Sequence, residues 1–153
     1  MNALELRIPP PLVMFVTGLL MWLVSCASHS FAFVMPARLV VAGVLALVGL
    51  TIGVLGAASF RRARTTVNPM KPQTASSLVT SGIYRLTRNP MYLGLLMVLL
   101  GWACFLSNAL TLIPIVAFIV YITRFQIQPE ERALASIFGS EFITYTSRVR
   151  RWI

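Results

Sequence analysis

The sequence predicts an all-α integral membrane protein with four transmembrane helices and a cytoplasmic C-terminal helical cap. Three observations lead there. Hydrophobic residues make up 58% of the 153 and charged residues only 11%, where soluble domains carry about 25% charged residues. Apolar runs long enough to cross about 30 Å of hydrocarbon recur along the chain. No segment alternates apolar and polar residues for long enough to argue a barrel strand. One membrane domain is therefore expected to fill residues 1–153.

Residues 1–11 form a short head with Glu5 and Arg7, closed by Pro9-Pro10-Pro11, where no helix runs back through. The first span begins at Leu12 and can extend to Val34, with Ser28-His29-Ser30 and Pro36 marking its far end. Leu23-Val24-Ser25-Cys26 resembles a lipoprotein processing box. The preceding segment lacks a basic n-region and further spans follow, so an uncleaved first span is expected. The second span is Arg38 to Phe60. Its Gly49 and Gly53 form a GxxxG pair, which lets a second helix approach closely. The favoured partner is a helix of the same chain, and a dimer seam is the alternative, so the oligomeric state stays open.

Residues 61–89 make a long polar connection with Arg61, Arg62, Arg64, Lys71, Arg85 and Arg88 and no acid. Asn89 then stands as a cap before Pro90, the pairing favoured at a helix start. The third span runs from there to Leu106. Ser107-Asn108 permits only a tight hairpin, so the fourth span, 109–127, lies antiparallel to the third, with Pro114 placed to kink it. The tail, 128–153, opens with Glu130 and Glu131 in a helical first turn, stops at Gly139, and restarts as a short helix whose aromatics suit the headgroup region.

The net charge is +9, yet the basic residues flank apolar spans instead of interleaving with aromatics on a soluble face. That pattern marks topology and headgroup contact and excludes a nucleic-acid partner. Only Arg38 and His29 fall on the side opposite the long connection and tail. Both termini are therefore expected in the cytoplasm of a prokaryotic inner membrane. Cys26 and Cys104 read as small residues inside spans, and His29 has no second ligand nearby, so no metal site is expected.

This topology puts two polar clusters on one face. The first is Thr80 to Gly94, reading TSGIYRLTRNPMYLG; the second is Gln128-Pro129-Glu130-Glu131-Arg132. Arg85 and Arg88 present forked donors for carboxylate or phosphate, and Tyr84 and Tyr92 present flat apolar faces with polar tips. The glutamates can accept from sugar hydroxyls or pair with a cation. This set suits a nucleoside with an amino-acid or phosphate tail. The sequence has no Ser-His-Asp set, Walker loop or GxGxxG, so the reactions left are those governed by orientation and electrostatics, methyl transfer from a sulfonium among them.

Gly82-Ile83-Tyr84, Arg88-Asn89-Pro90-Met91-Tyr92-Leu93-Gly94, Glu130-Glu131, Phe138-Gly139, Tyr145 and the ending Val149-Arg150-Arg151-Trp152-Ile153 resemble the signature of the isoprenylcysteine carboxyl methyltransferase and phospholipid methyltransferase superfamily. The likeness covers about residues 80–153. It implies an enzyme that uses S-adenosylmethionine, held by Gly82, Tyr84, Arg88, Asn89, Pro90, Tyr92, Gly94, Glu130 and Glu131. It makes Glu130 and Arg124 the candidate catalytic residues and implies a lipophilic acceptor entering from the bilayer. Many members have His where this chain has Asn89, and the eukaryotic carboxyl methyltransferases have Arg where it has Gln126. A sterol-reductase-like enzyme using NADPH shares a similar Arg-X-Pro-X-Tyr-X-Gly turn and is the first alternative. A non-enzymatic four-helix transporter is the second, opposed by the lack of a mid-span carboxylate.

Overall fold

Pro9 to Pro11 set where the first helix starts. A proline costs a helix nothing in its first turn, where its missing N–H would be unpaired anyway. In the computed structural model, which describes residues 5–64 and 74–153, helix α1 accordingly spans Pro10–Ala27. It ends there instead of running to Val34: Ser28 leaves helical geometry and a short 3₁₀ turn, His29–Phe31, follows. Helix α2 is Arg38–Arg62, α3 is Pro90–Leu106 and α4 is Leu112–Ile122, entered through a 3₁₀ turn at Ala109–Thr111. A π-helical turn, Thr123–Ile127, carries α4 without a break into α5, Gln128–Arg148. Among the described residues there is no β-strand; Ala32 and Asn108 form an isolated bridge.

Three stretches, Pro10–Ala27, Arg38–Arg62 and the joined Ala109–Arg148, are long and apolar enough to cross a membrane. The fourth, α3, has 17 residues, about 26 Å at 1.5 Å per residue, and is the most enclosed. Tyr92, Leu93, Leu99, Gly101 and Ala103 on it are buried. By contrast, the buried positions of α2 are Gly49 and Gly56 alone, so Phe15, Leu47, Val54, Ile113 and their like face outward from the bundle. The protein is an integral membrane protein that presents its apolar side chains to lipid and buries its small ones.

The GxxxG pair works inside the chain. A Cβ on Gly49 would stand 2.6 Å from the Gly94 carbonyl oxygen, and one on Gly94 would stand 2.5 Å from that of Gly49. A Cβ on Gly53 would meet nothing within 4 Å. The α2–α3 seam therefore depends on Gly49, Gly94 and, further along, Gly101, whose Cβ would lie 2.8 Å from the Ala42 oxygen.

Each end of the bundle is tied. At one end Asn108 Nδ2 donates to the Ser28 carbonyl at 2.8 Å, and Phe33 N–H donates to the Ser107 carbonyl at 2.9 Å. Ser107 takes a left-handed conformation to make the tight hairpin. At the other end Leu6 N–H donates to the Phe125 carbonyl, Gln126 Nε2 donates to the Ile8 carbonyl at 2.7 Å, and Arg132 pairs with Glu5 at 2.9 Å. The head, the 74–89 segment and the tail thus share one end.

Two local expectations are corrected. Pro114 lies in the first turn of α4, where it kinks nothing; the irregularity sits instead at the π-helical turn. Asn89 occupies the cap position of α3 but makes no side-chain capping bond. The middle of the long connection, including Pro69, Lys71 and Pro72, lies outside the described residues.

Candidate functional site

Three elements converge at the tied end to build the site. Gly82, with φ at +62°, turns the chain into a 3₁₀ turn, Gly82–Arg85, that points Tyr84 inward. A side chain at that φ would be strained. The start of α3 supplies Arg88, Asn89 and Tyr92, and the first turn of α5 supplies Glu130 and Glu131. Gly139, at φ +50° and ψ −120°, then breaks α5, so its second half returns Phe142 and Tyr145 toward Tyr84.

The contacts are specific. Tyr92 donates its hydroxyl to Glu130 Oε1. Tyr145 donates to the Tyr84 carbonyl at 2.7 Å, and the Tyr84 ring meets Phe60 edge-on with centroids 5.4 Å apart. Glu131 is held between two guanidiniums. Arg88 Nη1 lies 3.2 Å from its Oε1, and Arg151 binds both oxygens as a fork, at 2.6 and 3.1 Å. The C-terminal strap is fixed further by Asn89 Nδ2 donating to the Arg151 carbonyl at 2.9 Å and by Arg88 N–H donating to the Arg150 carbonyl. These groups enclose a narrow cavity of about 80 Å³, walled on one side by Ala75, Ser77, Leu78 and Val79.

Its electrostatics follow from burial. The Glu130 carboxyl is pushed up to about 8, first by burial and also by the charge of Glu131, with the Tyr92 hydroxyl opposing. It therefore holds its proton through neutral pH. Burial likewise pushes the Tyr145 hydroxyl up to about 12, Arg88 opposing, and raises Tyr84 further. Arg88 Nε is buried and finds no acceptor among the described residues.

Of the residues singled out in the sequence, Tyr84, Arg88, Asn89, Tyr92, Glu130 and Glu131 line this cavity together. Gly82 shapes the approach to it. Pro90 and Gly94 belong to the α2–α3 seam, Pro90 against Gly56 and Gly94 against Gly49. Arg124 is not brought to the site: it is exposed and donates to Gln128 one turn on, at 3.1 Å. Phe60, Phe142, Tyr145 and Arg151 complete the site. The signal for the last two was present in the tail motif, but as aromatic-and-arginine pattern it suited a headgroup-facing helix equally well.

Do these residues fit S-adenosylmethionine? Aromatic walls suit an adenine face, and the buried Arg88 Nε and the Glu130 carboxyl offer a donor and a titratable acceptor. The donor set fits. The cavity as it stands is smaller than the roughly 300–1,000 Å³ of ligand sites, so it admits only part of such a molecule.

Residues 37–141 match the model of the phospholipid methyltransferase family. A 63-residue stretch is 46% identical to the whole of an uncharacterised protein from Haemophilus influenzae, covering 41% of this chain. Protein-S-isoprenylcysteine O-methyltransferase B of Arabidopsis thaliana is 33% identical over 91 residues, 58% of this chain and 45% of that protein. A probable protein-S-isoprenylcysteine O-methyltransferase of Oryza sativa subsp. indica is 33% identical over 109 residues, 69% of this chain and 56% of that protein. The chain thus spans about half the length of these two plant relatives. No solved structure matches it. With the family model covering more than two thirds of its length, and with the tyrosine, arginine and glutamate motifs meeting in one cavity, the chain belongs to the phospholipid methyltransferase family.

Proposed function

We propose that this chain is a membrane methyltransferase that uses S-adenosylmethionine to methylate a lipophilic acceptor, of isoprenylcysteine-carboxylate or phospholipid-amine type, at the cytoplasmic face of a prokaryotic inner membrane. The observation that carries this reading is the convergence of Tyr84, Arg88, Tyr92 and Glu130 on one cavity at the basic end of the bundle. The plant relatives' names supply the isoprenylcysteine acceptor and the family's description the phospholipid one.

The cofactor, when bound, supplies an electrophilic methyl group on a sulfonium. The chain's own residues bind and orient it, which suits a displacement governed by alignment more than by strong acid–base groups. Tyr84 and Phe60, in edge-on contact, would together offer the nucleoside one aromatic wall, and Arg88 Nε would serve its carboxylate. Glu130, protonated in the unliganded protein, would release its proton to solvent and pair as carboxylate with a cation bound beside it. Glu131 acts indirectly, holding Arg88 in place and tying the C-terminal strap through Arg151.

The test is transfer of a labelled methyl group, in membranes carrying the protein, to a farnesylated cysteine peptide and separately to phosphatidylethanolamine. Label in either product, lost in Glu130→Ala, supports the reading. No transfer to any lipid-soluble product, from folded protein, contradicts it.

A further inference from the structure

A second cavity, of about 740 Å³ and almost wholly apolar, lies at the other end of α3. Residues of α1 and α2 line it on either side of α3, forming a trough open to the bilayer. Its floor is Trp102, stacked on Phe105 with centroids 5.1 Å apart and fixed by an Nε1–H bond to the Gly18 carbonyl at 3.1 Å. Small residues hollow it: Gly18, Ala42, Gly43 and Gly101. Toward the candidate site the α2–α3 seam is shut, because Gly49 and Gly94 bring the two backbones into contact. Tyr92 and Trp102 are ten residues apart on α3, about 15 Å along its axis, so the trough opens away from the candidate site.

At that open end Arg38 places its guanidinium 6.0 Å from the centre of the Phe105 ring. No ion pair among the described residues involves Arg38. The sequence offers it no partner: its four carboxylates are Glu5, Glu130, Glu131 and Glu141, all in the head and tail at the opposite end. Arg38 also opens α2, with no acid in the first turn, where the helix dipole adds to the positive field. Its countercharge must come from outside the chain.

We propose that the trough is the seat of an anionic phospholipid from the leaflet opposite the candidate site, one acyl chain lying over Trp102 and its phosphate on Arg38. An aromatic-floored trough hollowed by small residues matches a hydrocarbon chain, and a guanidinium suits a phosphate. Such a lipid fills the gap between α1 and α2 and braces the bundle.

The test uses delipidated, detergent-purified protein carrying Trp152→Phe, in which only Trp22 and Trp102 emit, both lining the trough. The probe is phosphatidylglycerol brominated at mid-chain, compared with phosphatidylcholine bearing the same chains. The expected result is saturable quenching, with half-saturation at several-fold less phosphatidylglycerol than phosphatidylcholine. Arg38→Gln should abolish that preference. Gly43→Leu should abolish the saturable component, since a Cβ there meets nothing within 4 Å and the new side chain grows into the trough. Helical circular dichroism and melting check that both variants fold.

Three outcomes would overturn the proposal. Linear quenching, equal for both lipids and untouched by Gly43→Leu, would mean bulk lipid only. Dimer formation that Gly43→Leu prevents would assign the trough to a second copy of the chain. Displacement of the brominated lipid by a farnesylated cysteine peptide would assign it to the methyl acceptor. None of these bears on cofactor binding, so this proposal fails or stands apart from the catalytic one.

Discussion

Glu130 is the carboxyl whose chemistry the surroundings alter most. Its carboxyl stands near 8 in the folded protein against 4.5 when unhindered. The folded state therefore holds a proton that the unfolded state gives up, and by linkage stability falls as pH rises between about 4.5 and 8. Glu130→Gln keeps the neutral form at every pH and should flatten that slope, which melting temperatures at pH 5, 6.5 and 8 would read. The same group sets the pH dependence of binding. A cationic ligand favours the ionised carboxylate, so affinity for S-adenosylmethionine should rise with pH up to about 8, with proton release visible when calorimetry is repeated in buffers of different ionisation enthalpy. In Glu130→Gln that release should vanish. Glu131 differs, because Arg88 and Arg151 already satisfy it. Glu131→Gln should cost about 1.5–3 kcal/mol, the range for hydrogen bonds to charged groups, seen as a lower melting temperature, and should make the pH slope shallower, because the Glu131 charge helps raise Glu130.

At the scale of elements, the α2–α3 seam carries the sharpest prediction. Gly49→Leu drives a side chain into the Gly94 backbone and should destabilise by about 1–3 kcal/mol, the cost of overpacking a tight contact. Gly53→Ala should be tolerated, since its Cβ points into open space. Thermal unfolding in detergent distinguishes them; equal sensitivity of both would move the GxxxG pair back to a face shared with a second helix. The seam also shows what a sequence can and cannot convey. The apolar runs, the glycine spacing and the Asn89-Pro90 start were legible because each follows from local chemistry. The end of α1 was not: Phe31, Phe33 and Val34 are as apolar as the helix before them, yet Phe33 is held by its bond to Ser107, a long-range contact with no local signal. Likewise Asn89 reads as a cap, but Arg151, 62 residues on, takes its side chain instead.

Across the whole molecule, four helices alternate in direction, so the head, the 74–89 segment and the tail meet at one end. That arrangement is what turns two separate polar motifs into one cavity, and it was legible from the distribution of charge. What charge alone did not reveal is how far the tail folds back. Phe142 and Tyr145 read as headgroup-facing aromatics, but the break at Gly139 turns them into the site. Arg124, close to the glutamates in sequence, falls on the exposed side of the π-helical turn. Arg124→Ala should accordingly leave cofactor affinity within twofold of the parent, measured by the same titration as for Glu130.

The measurement that bears most directly on the central claim is calorimetric titration of the purified protein with S-adenosylhomocysteine, with NADPH run in parallel. Saturable binding of S-adenosylhomocysteine alone, weakened at least tenfold in Glu130→Ala protein that still melts cooperatively, is the predicted result. Binding of NADPH alone would make the cavity a reductase's. Binding of neither ligand to folded protein would contradict the assignment of this cavity to a methyl donor.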